Sequence, residues 1–218
     1  MTPLTAMRGY IETLSMVTLK IDAATRERYM GIVEEETHRL EQIIGDLLDL
    51  ARLEGGGGTM KREHVPVAGL FDRLASRHEA EFTKRRITLS SRIAATAEWV
   101  IGDPDRLEQA LQNLVANALR HTPDGGTITV TSETAIDGFH IVVRDTGPGI
   151  LPEHLPLIFD RFYKADASRT ATGAVSGSGL GLSIVRAIVE RHGGTVTASN
   201  APDGGAIFEF LLPGLSRH

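Results

Sequence analysis

Apolar residues recur at Leu4, Met7, Ile11 and Leu14, then at Val33, Leu40 and Leu47 with Ile44 and Ala51 offset. That spacing is the 3.5-residue seam of packed helices, and it predicts a helical hairpin over residues 1–54. The second helix carries a wide apolar face formed by Ile43, Ile44, Leu47, Leu48 and Leu50. Two short stripes cannot shield that face fully, so pairing with a second copy into a four-helix bundle is the economical way to bury it, and a homodimer is expected. Gly55-Gly56-Gly57-Gly58 then breaks the pattern. Successive glycines do not hold a helix against their backbone entropy, which makes residues 55–60 a linker.

Beyond the linker, residues 61–218 are expected to form one domain. The pattern predicts a short strand at 61–67, a helix at 67–84, strands near 86–93 and 97–101, and a long helix at 104–121. Period-two alternation marks strands at Thr127–Glu133 and His140–Asp145, a helix follows at 179–192, and strands at Thr195–Ser199 and Ala206–Leu212 close the chain. Strands and helices mix without regular βαβ repetition, so the class is α+β, a sandwich of one sheet covered by helices on one face.

Composition narrows the functions available. With 41% apolar residues in 218, the chain can bury a real core. It has no cysteine, which removes disulfides and thiolate chemistry and fits a reducing, cytoplasmic setting. A net charge of −5 with acids and bases interleaved argues against nucleic acid as a partner. No stretch approaches the roughly 20 apolar residues of a membrane span, and no signal peptide is seen, so membrane attachment is expected only through segments outside these residues.

Three motifs carry chemistry. Gly177-Ser178-Gly179-Leu180-Gly181-Leu182 leads directly into an amphipathic helix. Its glycines let backbone N–H groups close on phosphate oxygens, and the helix N-terminus adds its positive dipole end. Taken alone it is equally a flexible turn, and it lacks both the third glycine of a dinucleotide fingerprint and the Gly-Lys-Ser/Thr ending of a P-loop. Asp145-Thr146-Gly147-Pro148-Gly149-Ile150 follows a strand, where a carboxylate can accept a hydrogen bond from an exocyclic amine such as that of adenine. As a lone motif it is also a turn with an aspartate cap. In the helix from Leu107 to His121, Asn113 and Asn117 stand four apart and share one face, where their carboxamide oxygens suit Mg²⁺. Structural polar bridging is the alternative there. Arg120 and His121, one turn on, are candidates for phosphate, or a solvated helix end.

Taken in order, Asn113 to His121, Asp145 to Gly149, Phe159-Asp160-Arg161-Phe162-Tyr163 and Gly177 to Leu182 resemble the N, G1, F and G2 boxes of the histidine kinase catalytic domain, over residues 61–218. The resemblance implies the Bergerat ATP-binding fold, also used by Hsp90-type chaperones, DNA gyrase and mismatch-repair ATPases. It implies that Asp145 binds the adenine amino group, that Gly147 and Gly149 line the base, and that Asn113 and Asn117 hold Mg²⁺ on the phosphates. Gly177, Gly179 and Gly181 are implied to lie along the triphosphate, with Ile150, Phe159 and Leu180 contacting nucleotide from the same boxes. Residues 150–176 hold Phe159 to Phe162 and then the small-residue stretch Ala165–Ser176, which is poor in apolar anchors, so a lid that orders over nucleotide is expected there, with Arg161, Lys164 and Arg169 as candidate phosphate contacts. The segment Gly204 to Phe208 matches the closing strand but lacks the threonine that many relatives place beside adenine. Base contact there is expected through water or backbone.

The first helix resembles the dimerization and phosphoacceptor hairpin of the same family, whose pattern is His-Glu/Asp-x-x-Thr-Pro-Leu-Thr. Thr2-Pro3-Leu4-Thr5 matches the end of that pattern. The acceptor histidine and the acidic residue after it fall before Met1. Thr2 takes the position implied to orient water for phosphatase action on a response regulator, or simply caps the helix before Pro3. Of eight histidines, His38 is the one in the hairpin, among Glu34, Glu35, Glu36 and Arg39, where a solvated face is the expectation. The family chemistry implied is in-line transfer of the ATP γ-phosphoryl to an imidazole, then to an aspartate of a response-regulator receiver domain. Asn113, Arg120, Arg161 and Thr2 are the catalytic candidates. The isolated polypeptide is expected to bind Mg-ATP without phosphorylating itself, as the cytoplasmic portion of a membrane-bound sensor. Two competing classes are an ATP-binding pseudokinase acting as a regulatory dimer and a chaperone or topoisomerase fragment. The second is disfavoured because that branch uses a glutamate where Asn113 stands.

Overall fold

The structure, a computed structural model, describes residues 3–16, 21–56, 59–165 and 178–214. Two compact units divide the chain, Met1–Asp49 and Leu50–His218.

The first unit holds α1 (Pro3–Ser15) and most of α2 (Ala23–Glu54). Asp22 starts α2: one carboxylate oxygen accepts the Thr25 N–H and the other accepts the Thr25 hydroxyl, both at 2.8 Å. Tyr10 of α1 meets Tyr29 of α2 with ring centroids 4.9 Å apart. Much of the predicted seam is open in a single copy. Leu4 is 66% exposed, Ile44 56% and Leu48 55%.

The second unit is the α+β part. After the end of α2 come β1 (Glu63–Pro66), α3 (Val67–Arg85), β2 (Thr88–Ile93), β3 (Trp99–Gly102), α4 (Pro104–His121), β4 (Thr127–Ala135), β5 (Gly138–Asp145), α5 (Gly181–Arg191), β6 (Thr195–Asn200) and β7 (Ala206–Leu212). A five-stranded sheet runs in the order β2-β4-β5-β7-β6. β2 and β4 are parallel and the other neighbours antiparallel. The sequence pattern suggested one sheet, and here it is corrected: β1 and β3 pair with each other in a separate antiparallel ribbon, from Glu63 opposite Gly102 to Pro66 opposite Trp99. These four-residue strands satisfy each other, and Pro66 has no N–H to extend a ladder.

The core forms where the sheet's alternation meets the helices. Ile128 and Val130 of β4, Ile141 and Val143 of β5, and Phe208, Phe210 and Leu212 of β7 point to the buried side every second residue. Leu107, Ala110, Leu111, Leu114, Val115 and Ala118 give α4 its buried face. Asp103 caps α4, accepting the N–H groups of Asp105 and Arg106 at 3.1 and 3.2 Å, with Pro104 in the first turn. The strand expected from residue 86 starts at Thr88, because Arg86 takes a left-handed φ of 53° as the cap of α3. The helix expected from residue 179 starts at Gly181, since Gly179 has φ +77° and cannot belong to it. Among the described residues, no helix is long and apolar enough to cross a membrane.

Candidate functional site

β5 is the central strand of the larger sheet, and Asp145 is its last residue, on the buried side of the alternation and 2% exposed. One of its oxygens, Oδ1, accepts the N–H of Gly147 at 2.8 Å and of Ala206 at 3.2 Å. Its Oδ2 accepts no hydrogen bond from the described residues. A buried carboxylate with an open acceptor calls for a donor, and an exocyclic amine supplies one.

The backbone around Asp145 is crowded in ways that demand glycine. A Cβ on Gly147 would lie 2.7 Å from the His121 carbonyl oxygen, and one on Gly205 would lie 1.9 Å from the Asp145 carbonyl oxygen. Gly149 has φ +78°, and its missing Cβ leaves room for Asn200, whose Oδ1 would be 2.8 Å away. Asn200, at the end of β6, makes two contacts with one residue. Its Oδ1 accepts the Ile150 N–H and its Nδ2 donates to the Ile150 carbonyl, each at 2.7 Å. Asn200 does not emerge from the sequence motifs, and Gly205 stands only in the segment matched to the closing strand, with no contact to Asp145 foreseen. A glycine pair after a strand ending in Asn is the one local hint, and it reads as an ordinary turn.

Asn113 and Asn117 share a face of α4, partly exposed, and their side chains make no hydrogen bond with any described residue. The bridging role left open by the sequence is therefore not seen, and two hard carboxamide oxygens stand available, which fits a Mg²⁺ ion. Asn113 approaches the glycine motif, with its Oδ1 3.6 Å from where a Gly181 Cβ would stand. Gly181 opens α5, whose first turn carries no side-chain cap. Such uncapped N–H groups suit an anion. Leu180, fully buried, anchors the turn, its carbonyl accepting from Ile184 N–H at 2.9 Å and Ser183 hydroxyl at 2.8 Å. Gly179 packs against the backbone of Phe162, which itself has φ +60° and donates its N–H to the Gly179 carbonyl at 2.9 Å.

Phe159 is buried edge-on against Phe208, ring centroids 6.4 Å apart, so it serves the core beside β7. Arg161 forms an ion pair with Glu54, at the end of α2 within the same unit. Arg120 and His121 lie exposed at the end of α4. His38 is exposed and 3.3 Å from Glu41. Thr2, Gly177 and Arg169, with residues 166–176 of the expected lid, lie outside the described residues.

Four motif segments thus meet around one end of the sheet and the start of α5: the asparagine face of α4, the end of β5, the Phe162–Gly179 contact and the α5 N-terminus. Residues 102–215 match the family of histidine kinase-, DNA gyrase B- and HSP90-like ATPases, and residues 2–56 match the His Kinase A (phospho-acceptor) domain. The chain belongs to that ATPase family, and with the hairpin ahead of it this is the catalytic core of a sensor histidine kinase. It is 33% identical over 212 residues to the sensor protein SrrB of Staphylococcus aureus (strain MRSA252), covering 97% of this chain and 36% of that protein. The chain thus spans about a third of the length of the curated relatives it matches. Histidine kinase ThkA, solved in complex with the response regulator protein TrrA, superposes with TM-score 0.76 at 27% identity, covering 97% of this chain and 57% of that one. Full-length ShkA, solved in complex with AMPPNP, gives TM-score 0.74 at 25% identity, covering 98% and 46%.

Proposed function

We propose that this chain binds Mg-ATP and transfers the γ-phosphoryl group to a histidine, from which it passes to an aspartate of a response-regulator receiver domain. The observation that carries the nucleotide half is the buried Asp145 with its open Oδ2, framed by Gly147 and Gly205 and reached from α4 and α5. Asp145 takes the adenine amino group, Gly147, Gly149 and Ile150 line the base, and Gly179, Leu180 and Gly181 with Gly177 follow the phosphates. Asn113 and Asn117 hold Mg²⁺, which neutralises charge on the transferring phosphoryl group. Arg120 and His121 reach toward the phosphates, Arg161 joins them when freed from Glu54, and Thr2 serves phosphatase action. The ThkA–TrrA complex supports a receiver-domain partner, and the AMPPNP complex of ShkA supports the nucleotide.

The open seam of the hairpin supports a homodimer, with residues 1–54 as the dimerization element, 55–60 as linker and 61–218 as the ATP domain. The same reading sets these residues on the cytoplasmic side, as part of a larger sensor.

The test is Mg²⁺-dependent binding of a non-hydrolysable ATP analogue. Asp145→Asn and Asn117→Ala should each weaken it about 10–100-fold, the scale of a lost charge-assisted contact. Unchanged binding in both removes the site assignment. In [γ-³²P]ATP a polypeptide of these 218 residues stays unlabelled, since α1 contains no histidine. Adding an upstream segment with the acceptor restores label, and label on the shorter chain refutes this point.

A further inference from the structure

The Asn200 carboxamide engages Ile150 at both ends of its backbone, accepting its N–H and donating to its carbonyl at 2.7 Å. One side chain thereby does what a paired strand does for a residue, in a segment, 146–150, that belongs to no strand or helix. The contact spans 50 positions of sequence and joins the end of β6 to the loop that follows β5.

The β6–β7 turn also packs on Asp145, the residue just before this loop. Ala206 N–H donates to Asp145 Oδ1 at 3.2 Å. Gly205 packs so closely that a Cβ would fall 1.9 Å from the Asp145 carbonyl oxygen. The turn is closed by Ala201 N–H donating to the Gly205 carbonyl at 2.9 Å. Gly149 meets Asn200 as well, its absent Cβ leaving 2.8 Å to Oδ1. The glycine at 149 is thus required twice, by its φ of +78° and by the carboxamide beside it.

We propose that Asn200 is a positioning residue for the nucleotide base. By fixing both polar groups of Ile150, it sets where the backbone edge of Gly147–Ile150 stands relative to the Asp145 carboxylate, and so makes the pocket discriminate adenine from other bases. This rests on the Mg-ATP reading above. Asn200 is itself exposed, so its substitution leaves the core intact. Asn200→Ala removes both contacts. Asn200→Asp keeps an acceptor for the Ile150 N–H but sets a carboxylate oxygen against the Ile150 carbonyl, where the amide donated.

The experiment is calorimetric titration of the 218-residue chain with Mg-ATP and with Mg-GTP, beside thermal melting and amide exchange at Ile150. In both variants, ATP affinity should fall roughly tenfold, about 1.4 kcal/mol, while GTP binding hardly changes, so base preference drops by the same factor. Ile150 should exchange faster with the melting temperature nearly unchanged. Asn200→Asp should do no better than Asn200→Ala, because half of the contact has become repulsive. A preference for ATP that survives in both variants overturns the proposal while leaving the Mg-ATP reading intact. So does an equal loss for both nucleotides together with a lower melting temperature, which marks a merely structural role. Failure of the unsubstituted chain to bind ATP overturns both.

Discussion

The two units of this chain solve the burial problem in opposite ways. Among the described residues of Met1–Asp49, no side chain is fully buried, and Leu4, Ile11, Met30, Ile44, Leu47 and Leu48 stand exposed. In Leu50–His218 the larger sheet and its helices seal Phe208, Phe210, Leu111, Leu114 and Ile141 to 1% exposure or less. Two helices have too little mutual surface to make an interior, whereas a sheet with helices on one face makes one outright. The difference teaches that stability is a property of one copy in the second unit and, on the dimer reading, of concentration in the first.

Truncation in each unit tests this division. Phe208→Ala should have the largest effect, destabilising the second unit by about 3–5 kcal/mol, because the ring is fully buried and Phe159 packs edge-on against it. Denaturant unfolding of the whole chain measures it, and a loss below about 1 kcal/mol would mean that the core is not where the burial pattern puts it. The hairpin counterpart is Ile44→Ala with Leu48→Ala. These exposed side chains contribute little within one copy, so the unfolding of the second unit and ATP affinity should stay put. Self-association should weaken at least tenfold by sedimentation, since the same side chains form the seam. Unchanged association would end the dimer reading.

Legibility in the sequence follows the same line. Within the second unit, period-two alternation in β4, β5 and β7 and the apolar stripe of α4 are local patterns, so these elements lie close to where the sequence puts them. Asp145, Gly147, Gly149, Asn113 and Asn117 stand in local motifs and were visible for that reason. Contacts set by topology were not. The separate ribbon of β1 and β3 depends on which strands find each other across α3. The clasp of Asn200 on Ile150 joins residues 50 positions apart, and the Arg161–Glu54 ion pair joins residues 107 apart. The sequence shows the charge of Arg161 and its neighbours, but not the acid Glu54 that pairs with it from the end of α2.

The smallest effect concerns two histidines of the second unit whose protonation pulls stability in opposite directions. His140, on β5, loses charge-stabilising water through burial, but hydrogen bonds to Asp137 at 2.9 Å and Glu209 at 2.7 Å outweigh that and raise its pKa above the usual value. A raised histidine favours folding fully below its unfolded pKa, near 6.5, and loses that contribution as pH climbs through the folded value. His192 behaves in the reverse sense. Burial lowers its pKa, and the neutral ring is held in place: Nε2 accepts the Asp103 N–H at 2.9 Å, so Nδ1–H donates to the Ile188 carbonyl at 2.8 Å. The Ile188 carbonyl and Asp103 pull that pKa back up, while Arg62 and Arg191 push it down further. Below about pH 6.5 the unfolded chain therefore binds a proton the folded one refuses, and stability falls as pH falls toward the folded value. In His140→Gln the loss above pH 6.5 should flatten, and in His192→Gln the loss below it should flatten, each by about 1–2 °C in melting temperature. Melting curves from pH 5 to 8 decide the matter. If either variant tracks the unsubstituted chain across that range, the corresponding histidine carries no linked proton.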